Sequence, residues 1–208
     1  MSRHVWNVAE VADAVGPAAN LRNYLEQRDV RRCLAKASTL MPIRRAADIG
    51  CGYGRLTMVL AEVATEVVGF EREATFAQEA SRLLPSVRFI QVPTLGALPQ
   101  PTGSFDFAMT FTVLQHMRDP EATAALLEVK RLAQGGAVLL TEETDSSLSD
   151  GGPDAGGGVT IGRTGKTYVD WMKPFELVLR FPREIEPGYP REDVGTYMLF
   201  TDPRRKGA

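Results

Sequence analysis

Two periods of apolar spacing alternate along the chain. After a Gly16-Pro17 breaker, Leu21, Tyr24, Leu25, Val30, Cys33, Leu34 and Ala37 recur at roughly helical intervals, which predicts an amphipathic helix from Asn20 to Met41. A short apolar run then ends at Ile49 and breaks into a glycine-rich turn, and Leu56, Val59, Leu60 and Val63 share one face of a helix over 55–65. Glu66 to Phe70 reads as a second strand, 72–84 as a helix and Ser86 to Val92 as a third, alternating strand. Ser104 to Phe111 supplies a fourth. Asp119-Pro120 marks a helix start, Ala122 to Ala133 continues it and Gly135-Gly136 closes it before a fifth strand, Ala137 to Glu143. Strands alternating with helices predict an α/β fold with a mostly parallel sheet.

The pattern changes after Glu143. Residues 146–163 are rich in Ser, Asp and Gly and read as a mobile lid or a disordered insertion bordering the ligand edge. Thr164 can cap a short helix that runs through Tyr168 and Trp171 to Met172 and stops before Pro174. Phe175 to Ile185 and Gly195 to Thr201 read as two strands joined by a loop over Glu186 to Val194; with no helix between them they form an antiparallel pair. Arg204, Arg205 and Lys206 make a short solvated basic tail.

Bulk numbers narrow the class. A chain of 208 residues that is 44% hydrophobic suits one globular domain over 1–208, divided into an N-terminal helical cap (1–41), a core (42–145) and a closing part (146–208). A formal net charge of -2, with both signs scattered, leaves no footprint for nucleic acid. Cys33 and Cys51, the two cysteines, make a disulfide framework improbable and a reducing, cytoplasmic setting the expectation. No run of about 18 uncharged apolar residues offers a membrane span. A monomer or homodimer is expected.

The chemistry sits between Ala46 and Arg55. Gly50, Gly52 and Gly54 let the backbone turn sharply and let a ligand approach the main chain, and Asp48 stands two residues before the first of them. A nicotinamide fingerprint would place its third glycine where Arg55 stands, which disfavours an oxidoreductase of that kind. The Asp48-x-Gly50-x-Gly52-x-Gly54 pattern resembles the first motif of the class I S-adenosylmethionine (SAM) dependent methyltransferases. The resemblance continues at Glu71, which matches the acid of the second motif, and in Ser104 to Met117, which is similar to the fourth strand and its following turn. It implies a Rossmann-like three-layer sandwich with a mostly parallel seven-stranded sheet, an antiparallel last strand and an N-terminal helical segment. It also implies SAM as cofactor, S-adenosylhomocysteine as product, and Asp48, Gly50, Cys51, Gly52, Tyr53, Gly54, Glu71, Arg72, Thr94, Leu95, Phe111 and Thr112 as its binding residues. The segment Pro93 to Pro99 lacks the acid that related sequences set against the adenine amino group, so Thr94 and the Leu95 backbone are the nearest substitutes.

His116 is the candidate catalytic residue, with two readings open: a general base that deprotonates the acceptor, or a residue that lines the pocket. Asp106, at the amino end of the fourth strand, is expected to serve structure. Trp6, Arg22 and Tyr24 before the core, and Tyr168, Trp171 and Met172 after it, are candidates for acceptor binding, with packing in the core or on a solvated face as the alternative. Glu142, Glu143 and Asp145 lack a carboxylate between Thr112 and His116 to complete a magnesium site, so no metal is expected. The function implied is methyl transfer to a small molecule; a non-catalytic SAM-binding partner, or an enzyme acting on protein or tRNA, is the alternative.

Overall fold

The apolar runs pair into one sheet buried on both faces. The computed structural model describes residues 16–144, 152–153 and 159–204, so Trp6, Asp145 and most of the 146–158 stretch lie outside the described residues. In order, the elements are α1 (Gly16–Ser38), β1 (Arg45–Ile49), α2 (Thr57–Leu60), β2 (Glu66–Glu71), α3 (Ala74–Leu83), β3 (Arg88–Gln91), β4 (Phe107–Phe111), a 3-10 turn (Leu114–His116), α4 (Asp119–Leu132), β5 (Ala137–Glu142), β6 (Gly152–Pro153), β7 (Val159–Thr160), α5 (Gly165–Met172), β8 (Glu176–Glu186) and β9 (Tyr189–Thr201). The seven-stranded sheet has the order β3-β2-β1-β4-β5-β9-β8. It is parallel except for β9, which runs against both β5 and β8. The chain leaves β1 toward β2 on one side and returns as β4 on the other, so a crevice opens at the carboxyl ends of β1 and β4.

Alternate residues of each strand feed opposite cores. Ala46, Phe107, Met109, Leu139 and Leu199 pack with Val30, Cys33 and Leu34 of α1 and Val59 and Leu60 of α2. Ala47, Val68, Ala108, Val138 and Leu140 pack with Leu126 and Val129 of α4 and Tyr168 and Met172 of α5. Burial on both faces is why these strands read as apolar runs rather than alternating ones. Asp106 accepts from the amides of Arg44 (2.9 Å) and Arg45 (3.0 Å) with one carboxylate oxygen, fixing the entry of β1.

Three boundaries depart from the sequence pattern. The helix α1 begins at Gly16 rather than Asn20, because a proline in the first helical turn surrenders no amide that the helix needs. The predicted helix over 55–65 is regular only from Thr57 to Leu60. Around it tight i to i+3 bonds (Val59 to Leu56, Glu62 to Val59, Val63 to Leu60) mix with i to i+4 bonds, so the stretch is too short to act as a dipole. The predicted loop over 186–194 shrinks to a turn at Pro187 and Gly188, and the pairs Arg183↔Arg191, Glu184↔Pro190 and Glu186↔Tyr189 extend β8 and β9. Gly188 takes φ 77° there. Pairing of β9 with β5 ends at Glu142↔Thr196, so this extension is a ribbon beyond the sheet, where a strand tolerates Pro190.

One buried contact is ionic. Glu26 of α1 is 1% exposed and is met by Arg22, Arg55 and Arg183. Burial alone would raise its carboxyl, but Arg183, Arg55 and Arg22 outweigh it and hold the group at about 2.

Candidate functional site

The crevice is built from main-chain groups first. Gly50 and Cys51 donate their amides to the carbonyl of Phe70 at 2.8 and 3.2 Å, tying the glycine turn to the end of β2. Glu71, the last residue of β2, accepts from the amide of Gly52 at 2.8 Å with one carboxylate oxygen, and from Arg72 (2.7 Å) and Glu73 (3.0 Å) with the other. The two motifs, 19 positions apart, thus meet in a single hydrogen-bonded unit. Gly50 and Gly52 both have positive φ, 75° and 55°, but for different ends. A Cβ on Gly50 would strike the Val113 side chain at 2.6 Å, whereas one on Gly52 would meet no protein atom within 4 Å. The first glycine lets two protein segments close; the second leaves space for something else.

Around that space lies a cavity of about 270 Å³. Its polar rim is Asp48, Glu71 and the glycine turn, and its apolar lining includes Phe76, Leu95, Phe111, Val113 and Met117. Asp48 is buried and accepts from Thr57 Oγ1 at 2.6 Å. Burial, with Glu71 nearby adding to it, pushes its carboxyl up to about 7. Burial also raises both thiols, Cys33 to about 12 and Cys51 well above its ordinary value, so neither is a nucleophile near neutral pH. Among the described residues no group of three or more His, Cys, Asp or Glu side chains could hold a metal ion.

The family described as "Methyltransferase domain" matches residues 46–136. The chain is 27% identical over 177 residues to a ubiquinone biosynthesis O-methyltransferase of Psychrobacter arcticus, covering 73% of this chain and 61% of that protein. It is 32% identical over 124 residues to a trans-aconitate 2-methyltransferase of Rhodopseudomonas palustris, covering 57% and 45%. A SAM-dependent methyltransferase structure from Methanosarcina mazei superposes with a TM-score of 0.67 at 19% identity, over 81% of this chain and 96% of that one. Residues 46–136 therefore match a methyltransferase domain, and the fold is one shared with SAM-dependent methyltransferase structures. The chain spans about half the length of the curated relatives it matches.

Set on the methyltransferase fold, the predicted residues divide. Asp48, Gly50, Cys51, Gly52, Tyr53, Glu71, Arg72, Leu95, Phe111, Thr112 and His116 line the cavity; Gly54 and Thr94 do not. Thr94 turns its hydroxyl to the Gly96 amide at 3.1 Å and so organises the loop behind Leu95. Tyr168 and Met172 are fully buried in the core of the α4 and α5 face, and Trp171 packs against that core and under Arg163. These side chains are therefore placed for packing, away from the cavity wall. Arg22 pairs with Glu26, and Tyr24 is 63% exposed; neither lines the cavity.

Val113, expected at the cavity from its place at the carboxyl end of the fourth strand, does line it, whereas Arg55, Leu56, Glu73, Phe76 and Met117 line it without having been marked for it by the sequence. In the sequence Arg55 is marked only as the residue that stands where a nicotinamide fingerprint has its third glycine. It packs over the Phe111 ring at 5.6 Å while bonding Asn23 at 3.0 Å and joining Glu26. Leu56, Phe76 and Met117 carry no signal in a sequence, because an apolar residue facing a ligand and one facing a core look alike. Glu142, at the end of β5, is fully buried and bonded to the turn after β4.

Proposed function

We propose that the cavity binds SAM and that the protein transfers its methyl group to a small-molecule acceptor. The observation that carries this reading is the unit formed by Gly52 and Glu71: a carboxylate at the carboxyl end of the second strand, hydrogen-bonded to a glycine whose missing side chain leaves open space. A nucleoside fits it, because ribose hydroxyls can donate to Glu71 and an apolar lining of Phe76, Leu95 and Met117 suits a purine. Asp48 lies on the same rim, where an ammonium group would favour its ionised form.

SAM brings a methyl group already activated on a sulfonium, so the chain has little bond-breaking to assist. Its residues bind, orient and exclude water. The turn from Thr112 to Met117 forms the wall beyond β4, and His116, which lines the cavity, is the residue in this reading that takes a proton from an acceptor hydroxyl or amine that needs one removed. The small-molecule reading draws on the two relatives whose names give a ubiquinone-pathway O-methylation and trans-aconitate. The test is methyl transfer from labelled SAM to a panel of phenols, carboxylic acids and amines, with His116→Gln alongside. Transfer to at least one class supports the reading, and cofactor binding without transfer to any of them counts against it.

A further inference from the structure

Two buried charged residues outside the glycine turn converge on the segment that walls the cavity beyond β4. Thr112 opens that segment at φ 54°, a conformation that costs a β-branched residue energy and persists only where the surroundings enforce it. From β5, Glu142 accepts from the amides of Val113 and Gln115, both at 3.1 Å, and from Thr110 Oγ1 at 2.8 Å. From the other side, Arg163 is 6% exposed and donates Nη1 to the Leu114 carbonyl at 2.9 Å and Nη2 to the Met117 carbonyl at 2.6 Å. Its Nε reaches Asp119 at 2.9 Å, and the neighbouring Ile161 amide adds a 2.7 Å bond to the Gln115 carbonyl. One turn thus has its amides held by a buried carboxylate and its carbonyls held by a buried guanidinium. The planar fork of arginine allows two carbonyls to be held at once, which a lysine cannot do.

We propose that Glu142 and Arg163 are positioning residues that clamp the turn from Thr112 to Met117 into the shape that completes the cavity. Through that wall they set the affinity for the nucleoside ligand and the place of His116, a consequence that rests on the function proposed above. Nothing in this role requires either residue to touch the ligand. It also gives the 160–163 stretch a task, although its Gly-rich sequence reads as a loop without packing.

The test compares Arg163→Ala, Arg163→Lys and Glu142→Gln with the unaltered protein by amide hydrogen exchange at Val113 and Gln115 and by calorimetric titration with S-adenosylhomocysteine. Arg163→Ala should speed exchange at the turn relative to β1 and β4 and weaken binding about tenfold, the scale of losing one charge-assisted hydrogen bond. Added methylguanidinium should restore part of both, and Arg163→Lys should fall between. Should Arg163→Ala fail to fold, Asp119→Asn removes the exposed anchor of the same guanidinium and is expected to shift both readouts the same way by less. An unchanged ratio of turn to sheet exchange overturns the clamp, as does faster exchange at the turn with unchanged affinity. An unaltered protein that binds no S-adenosylhomocysteine, with the turn still loosened by the substitutions, upholds the clamp and overturns only the functional reading.

Discussion

The two walls of the cavity are made in different ways. On the β1 and β2 side the contacts are local and main-chain: a glycine turn, its own amides, and a carboxylate 19 residues on. On the α1 and β8 side they are ionic and distant: Arg55, which lines the cavity, joins Glu26, and Glu26 meets Arg183, 157 positions away. The first wall depends on conformations that few residues can adopt. The second depends on charges that must find one another after the chain has folded. Substitutions on the first should therefore show up in binding, and substitutions on the second in stability.

The largest effect is expected on the second wall. Glu26→Ala removes the carboxylate that Arg55 and Arg183 share and should cost about 3–5 kcal/mol, read as the shift in urea midpoint. A cost below about 1 kcal/mol, the scale of a surface pair, would mean that the cluster is solvated and the contrast false. On the first wall, Gly52→Val places a branched side chain at φ 55° and in the open space of the cavity. Stability should fall by only about 1–3 kcal/mol, while affinity for S-adenosylhomocysteine should drop below detection in calorimetry. Retained binding would show that the space beside Gly52 is not where the ligand lies.

A smaller effect acts through pH. Burial raises Asp48 from 3.8 to about 7 and raises Glu142 from 4.5 to about 7, against the hydrogen bonds of Thr110 and the turn amides. Each folded-state value lies above the unfolded one, so the native state holds the extra protons. Their contribution is fully present below about pH 4 and is lost as pH rises through 7. In the ligand-free protein, raising pH from 6 to 8 should lower stability by about 1 kcal/mol for each group, and Asp48→Asn or Glu142→Gln should flatten the slope. A slope of the opposite sign would place both carboxylates in ionised form well below neutrality. The smallest effect is expected at Tyr24. Tyr24→Ala should leave S-adenosylhomocysteine affinity unchanged and stability within about 0.5 kcal/mol, since the ring is mostly in solvent.

What was legible in the sequence follows the same division. Strand positions, the glycine turn and the place of Glu71 at the end of the second strand could be read because each rests on a short-range rule, namely apolar runs, φ at glycine, and the ligand edge of a parallel sheet. The length of α2 was misread because its apolar spacing fits a helix while its bonding alternates between i to i+3 and i to i+4. The ribbon at 186–194 was misread because Pro190 argues against a strand only where both edges must pair. The shared task of Glu142, weighed in the sequence only as a metal ligand, and Arg163 is hidden for another reason. An acid at a strand end and an arginine in a Gly-rich stretch are ordinary surface residues until the fold buries them against one turn. Tyr168 and Met172 show the converse, since residues marked by their chemistry proved to serve the core.

The most direct measurement of the central claim is a calorimetric titration of the protein and of Glu71→Ala with S-adenosylhomocysteine. If the Gly52 and Glu71 unit receives the ribose, the unaltered protein binds and the variant binds about a hundredfold more weakly, the loss of two hydrogen bonds to a charged acceptor. Equal affinity in the two proteins, or no binding by either, would contradict the account.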